Sequence, residues 1–153
     1  MVFKITPIQM DKIIEIIAFC EKHYDANTFA HAMRVACIST HLYSGENDGT
    51  IFISALCHDL LEDTSLTRED LVEQLYSPIN LTNYIDCVDT IEELTRNKKE
   101  ETYSEYIQRI KDIGCYTHAR IIKIADLKDH LEQKDTLKES LKDRYIEALC
   151  NLL

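Results

Sequence analysis

The 153-residue chain contains only three glycines, two prolines and no tryptophan. So few turn-formers exclude a many-turned all-β fold, a collagen-like repeat and a low-complexity linker, each of which depends on those residues. Basic charge is scarce as well: 17 Lys and Arg stand against 27 Asp and Glu, a formal net charge of −10. That field repels both phosphate backbones and anionic lipid, so neither nucleic acid nor a membrane surface is an expected partner. No apolar run approaches the ~20 residues that span a bilayer, and no C-terminal prenylation box is present. Six cysteines occur (Cys20, Cys37, Cys57, Cys87, Cys115, Cys150), none in a C-x-x-C pair. The opening Met-Val-Phe-Lys-Ile-Thr-Pro lacks the basic flank, apolar run and small-residue cleavage site of a signal peptide, so reduced thiols in a cytoplasmic protein are expected. There is no Gly-rich phosphate loop and no G-x-S-x-G elbow, and kinase, NTPase and serine-hydrolase readings built on those motifs have no support.

What remains is a chain with 45% hydrophobic residues, enough to bury roughly 70% of its unfolded surface in one domain. Apolar residues recur at helical spacing, and the expectation is an all-α, single-domain bundle of about eight helices spanning 1–153. Thr6-Pro7 starts a helix that runs to about His23, and Asn27 or Thr28 caps a second that runs to about Tyr43. Asp48 caps a third, Thr50 to about Leu61, which is apolar nearly all round and therefore central. Thr67-x-x-Asp70 opens a short helix, another covers about Leu81 to Leu94, and Thr102-Tyr-Ser-Glu105 is a capping-box start for the sixth. A seventh helix runs from Cys115 to about Gln133, and an eighth from Thr136 to the end. No repeat or linker interrupts them.

Ionisable residues inside apolar helices need compensation, because burying an unpaired charge costs several kcal/mol. His58 and Asp59 lie in the most apolar helix, Glu62 and Asp63 follow one turn later, and Asp126 comes directly after Ile121-Ile122-Lys123-Ile124-Ala125. His31 lies in the apolar stripe of the second helix. Any one of these is an ordinary core histidine or paired carboxylate. Together, His31, His58, Asp59 and Asp126 make an N2O2 set on three helices, suited to one first-row divalent ion such as Mn²⁺ or Fe²⁺, with Mg²⁺ and Zn²⁺ as alternatives.

On these residues the chain resembles the HD-domain metal-dependent phosphohydrolases. The closest likeness is to the RelA/SpoT-type hydrolase domains and their small stand-alone relatives, which remove pyrophosphate from guanosine tetra- and pentaphosphate alarmones. The likeness spans His31 to His130 and rests on His31-Ala-Met-Arg-Val-Ala36, Ala55-Leu-Cys-His-Asp-Leu-Leu-Glu-Asp-Thr64 and Lys123-Ile-Ala-Asp-Leu-Lys-Asp-His130. The resemblance implies an all-helical fold, a bound ion that is usually Mn²⁺, ligands at His31, His58, Asp59 and Asp126, and a catalytic acidic pair at Glu62 and Asp63. A small nucleotide is the implied substrate, and a homo-oligomer is compatible with it. Two departures stand out. The basic, Gly-containing loop that precedes the first His in alarmone hydrolases is replaced by Lys22-His-Tyr-Asp-Ala-Asn-Thr28, and His130 stands where relatives often carry Asn.

The segment from Leu94 to Arg109 is similar to a Thr-Arg, Tyr-x-x-Tyr-Ile stretch of the stand-alone relatives. Arg96, Lys98 and Lys99 could there hold distal phosphates while Tyr103 packs on a base; the more economical reading is a solvated loop. Arg34 reaches the same pocket or pairs with a surface acid. His23, His41 and His118 read as surface or helix-end residues, and Cys57 as core packing. Two rival functions share the metal site: a nucleotidase or nucleoside-triphosphate hydrolase, and a nucleotide-sensing module without turnover.

Overall fold

Helices in this protein begin where a short polar side chain can satisfy the first free backbone N–H groups. Asp25 opens the second helix by accepting from Asn27 N and Thr28 N, both at 2.9 Å, and so takes the capping role expected of Asn27 or Thr28. Thr67 with Asp70, and Thr102 with Glu105, form the reciprocal capping boxes foreseen from their spacing. The computed structural model describes residues 7–45, 49–76, 84–133 and 136–153, with side chains from residue 10 onward. The expected caps Thr6 and Asp48, and the expected helix start at Leu81, lie outside the described residues.

Among the described residues there are nine α-helices and no strand: α1 Pro7–His23, α2 Ala26–Leu42, α3 Thr50–Leu56, α4 Leu60–Asp63, α5 Arg68–Leu75, α6 Tyr84–Leu94, α7 Tyr103–Ile113, α8 His118–Glu132 and α9 Glu139–Leu152. Helix α3 starts from Gly49, whose φ of +92° suits a residue without a side chain. Its buried face packs on α2 and α6, α2 packs in turn on α8, and α8 carries α9 on its other side. Val35, Ile51, Leu56, Leu60, Ile91, Ile122 and Leu127 are completely or almost completely enclosed. Each such side chain contributes about 1.5–3 kcal/mol by leaving water.

The expected Thr50–Leu61 helix is in fact two helices with a turn between them. After Leu56 the hydrogen bonds tighten: His58 N–H donates to Ala55 O at 3.3 Å and Leu60 N–H to Cys57 O at 3.0 Å, both i→i−3. The tightening would orphan the Leu56 carbonyl and the Asp59 N–H. A single hydroxyl takes both, because Tyr24 Oη donates to Leu56 O and accepts from Asp59 N, each at 3.2 Å. Tyr24 is itself buried, and burial pushes its hydroxyl pKa up, so it stays a neutral donor and acceptor. Cys57 at the break packs in the core as expected, its sulfur 3.6 Å from that of Cys20.

Tyr24→Phe leaves both backbone groups buried without a partner. The variant should unfold about 1–3 kcal/mol more easily in a urea titration, at unchanged helix content by circular dichroism. A midpoint equal to that of the unaltered protein would show that the break is held by packing alone.

Candidate metal centre

The break decides what His58 and Asp59 can do together. Neighbouring side chains on a regular helix point away from each other. Across the turn, His58 Nε2 comes within 3.1 Å of Asp59 Oδ2. From α2, His31 brings its Nε2 to 3.9 Å from the same oxygen and 3.1 Å from Asp126 Oδ1 on α8. The ligand atoms of His31, His58 and Asp126 all lie within 4.8 Å of one another. Three of the expected four, His31, His58 and Asp126, thus gather from α2, the α3–α4 turn and α8, and Asp59 lies beside them.

Both imidazoles are held from behind. His58 Nδ1 lies 2.7 Å from the Ala55 carbonyl, which can only accept, so Nδ1 carries the proton and Nε2 presents a lone pair. His31 Nδ1 lies 2.7 Å from Asp129 Oδ2, which fixes its ring in the same way. Neither Nε2, although buried, has a hydrogen-bond partner. Two buried nitrogen lone pairs and two carboxylates facing one another repel unless a positive charge sits among them. Burial disfavours the charged ring, yet Asp126 draws His31 above the usual imidazole range, and Asp59 and Asp126 draw His58 well above it. One divalent ion meets the same demand, and two imidazoles with carboxylates are donors that suit it. The residues present therefore fit a metal.

Asp126 is the hub of this arrangement. Its Oδ2 accepts from the partly buried Lys123 ammonium at 2.6 Å, while its Oδ1 is 3.1 Å from both His31 Nε2 and His130 Nε2. Burial works against ionisation here, but Lys123 and the histidines hold the carboxyl well below the usual range. Asp129 is equally buried and is kept ionised against burial by a two-point contact with Arg34, at 2.7 and 3.0 Å, and by His31.

Beside the cluster a cavity of about 220 Å³ is lined by both acidic candidates, Glu62 and Asp63, and by Arg96, Lys98, Tyr103 and His130 of the expected substrate set. Lys98 Nζ is 2.8 Å from Glu62 Oε1, so the loop after α6 is anchored to α4. Burial, with Asp59 and Glu62 near it, lifts the Asp63 carboxyl above its ordinary range. The loop is thus more than a solvated connection at Lys98, whereas Lys99 is exposed and does not line the cavity. Arg34 also lies apart from the cavity wall: it braces Asp129, and through it His31. Tyr103 is not free to pack on a base from its outer face, since the Arg144 guanidinium sits 4.4 Å from its ring centroid. Lys123, Asp129, Arg144 and Tyr145 escaped the sequence reading. Asp129 and Lys123 each lie three residues from Asp126, and this i±3 spacing on an apolar helix is the signal that could have found them.

Comparison with known proteins bears on this geometry. No family model matches the chain. GTP pyrophosphokinase rsh of Brucella ovis, and the same protein of Brucella abortus and Brucella melitensis, are each 27% identical over 125 residues. The match covers 81% of this chain but only 16% of those relatives. A solved structure, of a metazoan ortholog of SpoT that hydrolyses ppGpp and plays a role in starvation responses, superposes with a TM-score of 0.64 at 22% identity, over 92% of this chain and 83% of that one. The fold is of the HD type. With the Brucella sequences it bears out the RelA/SpoT-type likeness that the three motif segments carry, and it accounts for an all-helical frame around His31, His58 and Asp126.

The bracing of His31 has a measurable consequence. Asp129→Asn should leave the protein folded yet weaken divalent-ion affinity by about 10–100-fold in a chelator competition, the usual cost of losing a carboxylate behind a ligating imidazole. Affinity within threefold of the unaltered protein would mean that Asp129 serves only Arg34.

Proposed function

We propose that this protein is a metal-dependent phosphohydrolase of small nucleotides that removes pyrophosphate from guanosine tetra- or pentaphosphate. The observation that carries the reading is the pair of buried, unpartnered Nε2 atoms converging with Asp126 at the edge of a cavity that contains both anionic and cationic groups. His31, His58, Asp59 and Asp126 would hold the ion, with Mn²⁺ the first choice and Fe²⁺, Mg²⁺ and Zn²⁺ the alternatives. Such an ion, when bound, supplies Lewis acidity toward a phosphoryl group and lowers the pKa of water.

The chain's own groups divide the remaining work. Glu62 and Asp63 face the cavity from α4, and either carboxylate can take the proton that an attacking water loses as its oxygen bonds to phosphorus. The P–O bond to the nucleoside breaks, and the departing oxygen ends with a proton. Lys98 keeps Glu62 in place through their 2.8 Å contact and brings positive charge toward the phosphates. His130, whose ring is 4.4 Å from that of His31, lies where it can contact the nucleotide. Arg96 is turned to the Glu101 carbonyl, to which it donates at 3.1 Å, and shapes the loop that carries Lys98. A second reading, hydrolysis of ordinary nucleotides at the same site, is favoured by one feature: the Lys22–Thr28 segment lacks the basic, Gly-containing loop of alarmone hydrolases.

A nucleotide panel with product identification tests the proposal. Pyrophosphate from guanosine tetraphosphate is the expected product, and orthophosphate from ordinary nucleotides would overturn the alarmone assignment. His58→Ala and Asp126→Ala should abolish stoichiometric metal, whereas Glu62→Gln and Asp63→Asn should retain it and lose turnover by roughly two or more orders of magnitude. Metal retained in the first pair would move the site elsewhere, and unchanged rates in the second would remove the acidic pair from the mechanism.

A further inference from the structure

The cations around the cavity are mostly occupied. Lys123 is bound to Asp126 at 2.6 Å, Lys98 to Glu62 at 2.8 Å, and Arg96 to the Glu101 carbonyl at 3.1 Å. Arg144, on α9, differs from all three. It lines the same cavity, is exposed to solvent, and makes no hydrogen bond or ion pair with any described residue. Its guanidinium lies over two aromatic rings instead, 4.4 Å from the Tyr103 centroid and 5.5 Å from that of Tyr145.

This placement has a chemical meaning. A guanidinium held over an aromatic ring without a hydrogen-bond partner keeps its N–H groups free, and those are the groups that grip a phosphate at two points. Stacking also restricts the side chain, so less freedom is lost when an anion binds. Below it, the Tyr103 hydroxyl is buried and likewise has no hydrogen-bond partner, so this wall holds unused donors in a protein with a large excess of acid. Arg144 borders a second cavity as well, of about 140 Å³, whose wall includes Ser104, Glu147 and Asn151. Arg144 is therefore shared by the cavity beside the metal cluster and by its neighbour.

We infer that Arg144 is a specificity-determining residue that binds a phosphate group remote from the metal centre, and so selects nucleotides phosphorylated at two positions over monophosphates. The inference rests on the nucleotide reading of the site. It gives the site a cation on α9 that no carboxylate among the described residues occupies.

The test is equilibrium binding to the purified full chain of three probes, GMP, GDP and guanosine tetraphosphate, with turnover measured separately. Arg144→Gln should weaken tetraphosphate binding tenfold or more and GMP binding less than threefold, while metal content and thermal midpoint stay as they were. Arg144→Lys, which keeps the charge but loses the planar grip, should fall between. An equal loss for all three nucleotides, or none, overturns the role of Arg144 whatever the enzyme hydrolyses. Graded binding loss in a protein that hydrolyses none of them sustains Arg144 and overturns the proposed reaction instead.

Discussion

On a regular α-helix, two adjacent residues point about 100° apart, so they cannot both serve one point in space. The His58–Asp59 pair does so here because the helix stops at Leu56 and resumes at Leu60. The geometry of the centre depends on that interruption, and one hydroxyl satisfies the backbone groups it sets free. Tyr24, from the end of α1, supplies a donor and an acceptor to the two backbone groups that the turn sets free. Without them both groups would stay buried and unsatisfied, at a cost of about 1–3 kcal/mol. A continuous helix would keep His58 in the core and turn Asp59 away from it.

The same economy governs the buried charges. Two braces flank the centre: Lys123 holds Asp126 from one side, and Arg34 holds Asp129, which in turn holds His31, from the other. Removing one member leaves its neighbour buried and unpaired, which costs more than the pair itself contributes. Such bracing is a poor way to gain stability, since apolar side chains of similar volume would do as well. It is a good way to fix orientation: each imidazole has one nitrogen bonded outward and the other aimed inward, so the proton-bearing nitrogen is set before any ion arrives.

Much of this was legible in the sequence, and what was not has a physical cause. Helix starts at Thr67 and Thr102 could be read because a capping box is local chemistry. The gathering of His31, His58 and Asp126 could be read because ionisable residues in apolar stripes must find partners. The division of α3 from α4 could not, since Tyr24, whose hydroxyl satisfies the break, lies 32 residues from the carbonyl it bonds. The braces were hidden for the same reason: Arg34 and Asp129 are 95 residues apart, and nothing in either segment announces the other. Arg144 sits in an unremarkable charged stretch of α9, and its stack on Tyr103 exists only after α7 and α9 pack together.

The phosphate-binding role proposed for so acidic a protein looks self-defeating until distance is considered. At physiological ionic strength, exposed charges act over about 8 Å, so most of the surface carboxylates that give the chain its net charge are screened from a ligand in the cavity. What the ligand meets is the local set: Lys98, Lys123, Arg96 and Arg144 against Asp59, Glu62, Asp63 and Asp126. Three of those four cations are tied to an oxygen acceptor, two of them to carboxylates of the same wall, and their ties hold the wall's shape. The division of labour follows from this. On the proposed reading, a cation at the centre would answer the carboxylates, the tethered lysines and Arg96 would keep the walls in register, and discrimination among anions would fall to the groups that remain unsatisfied.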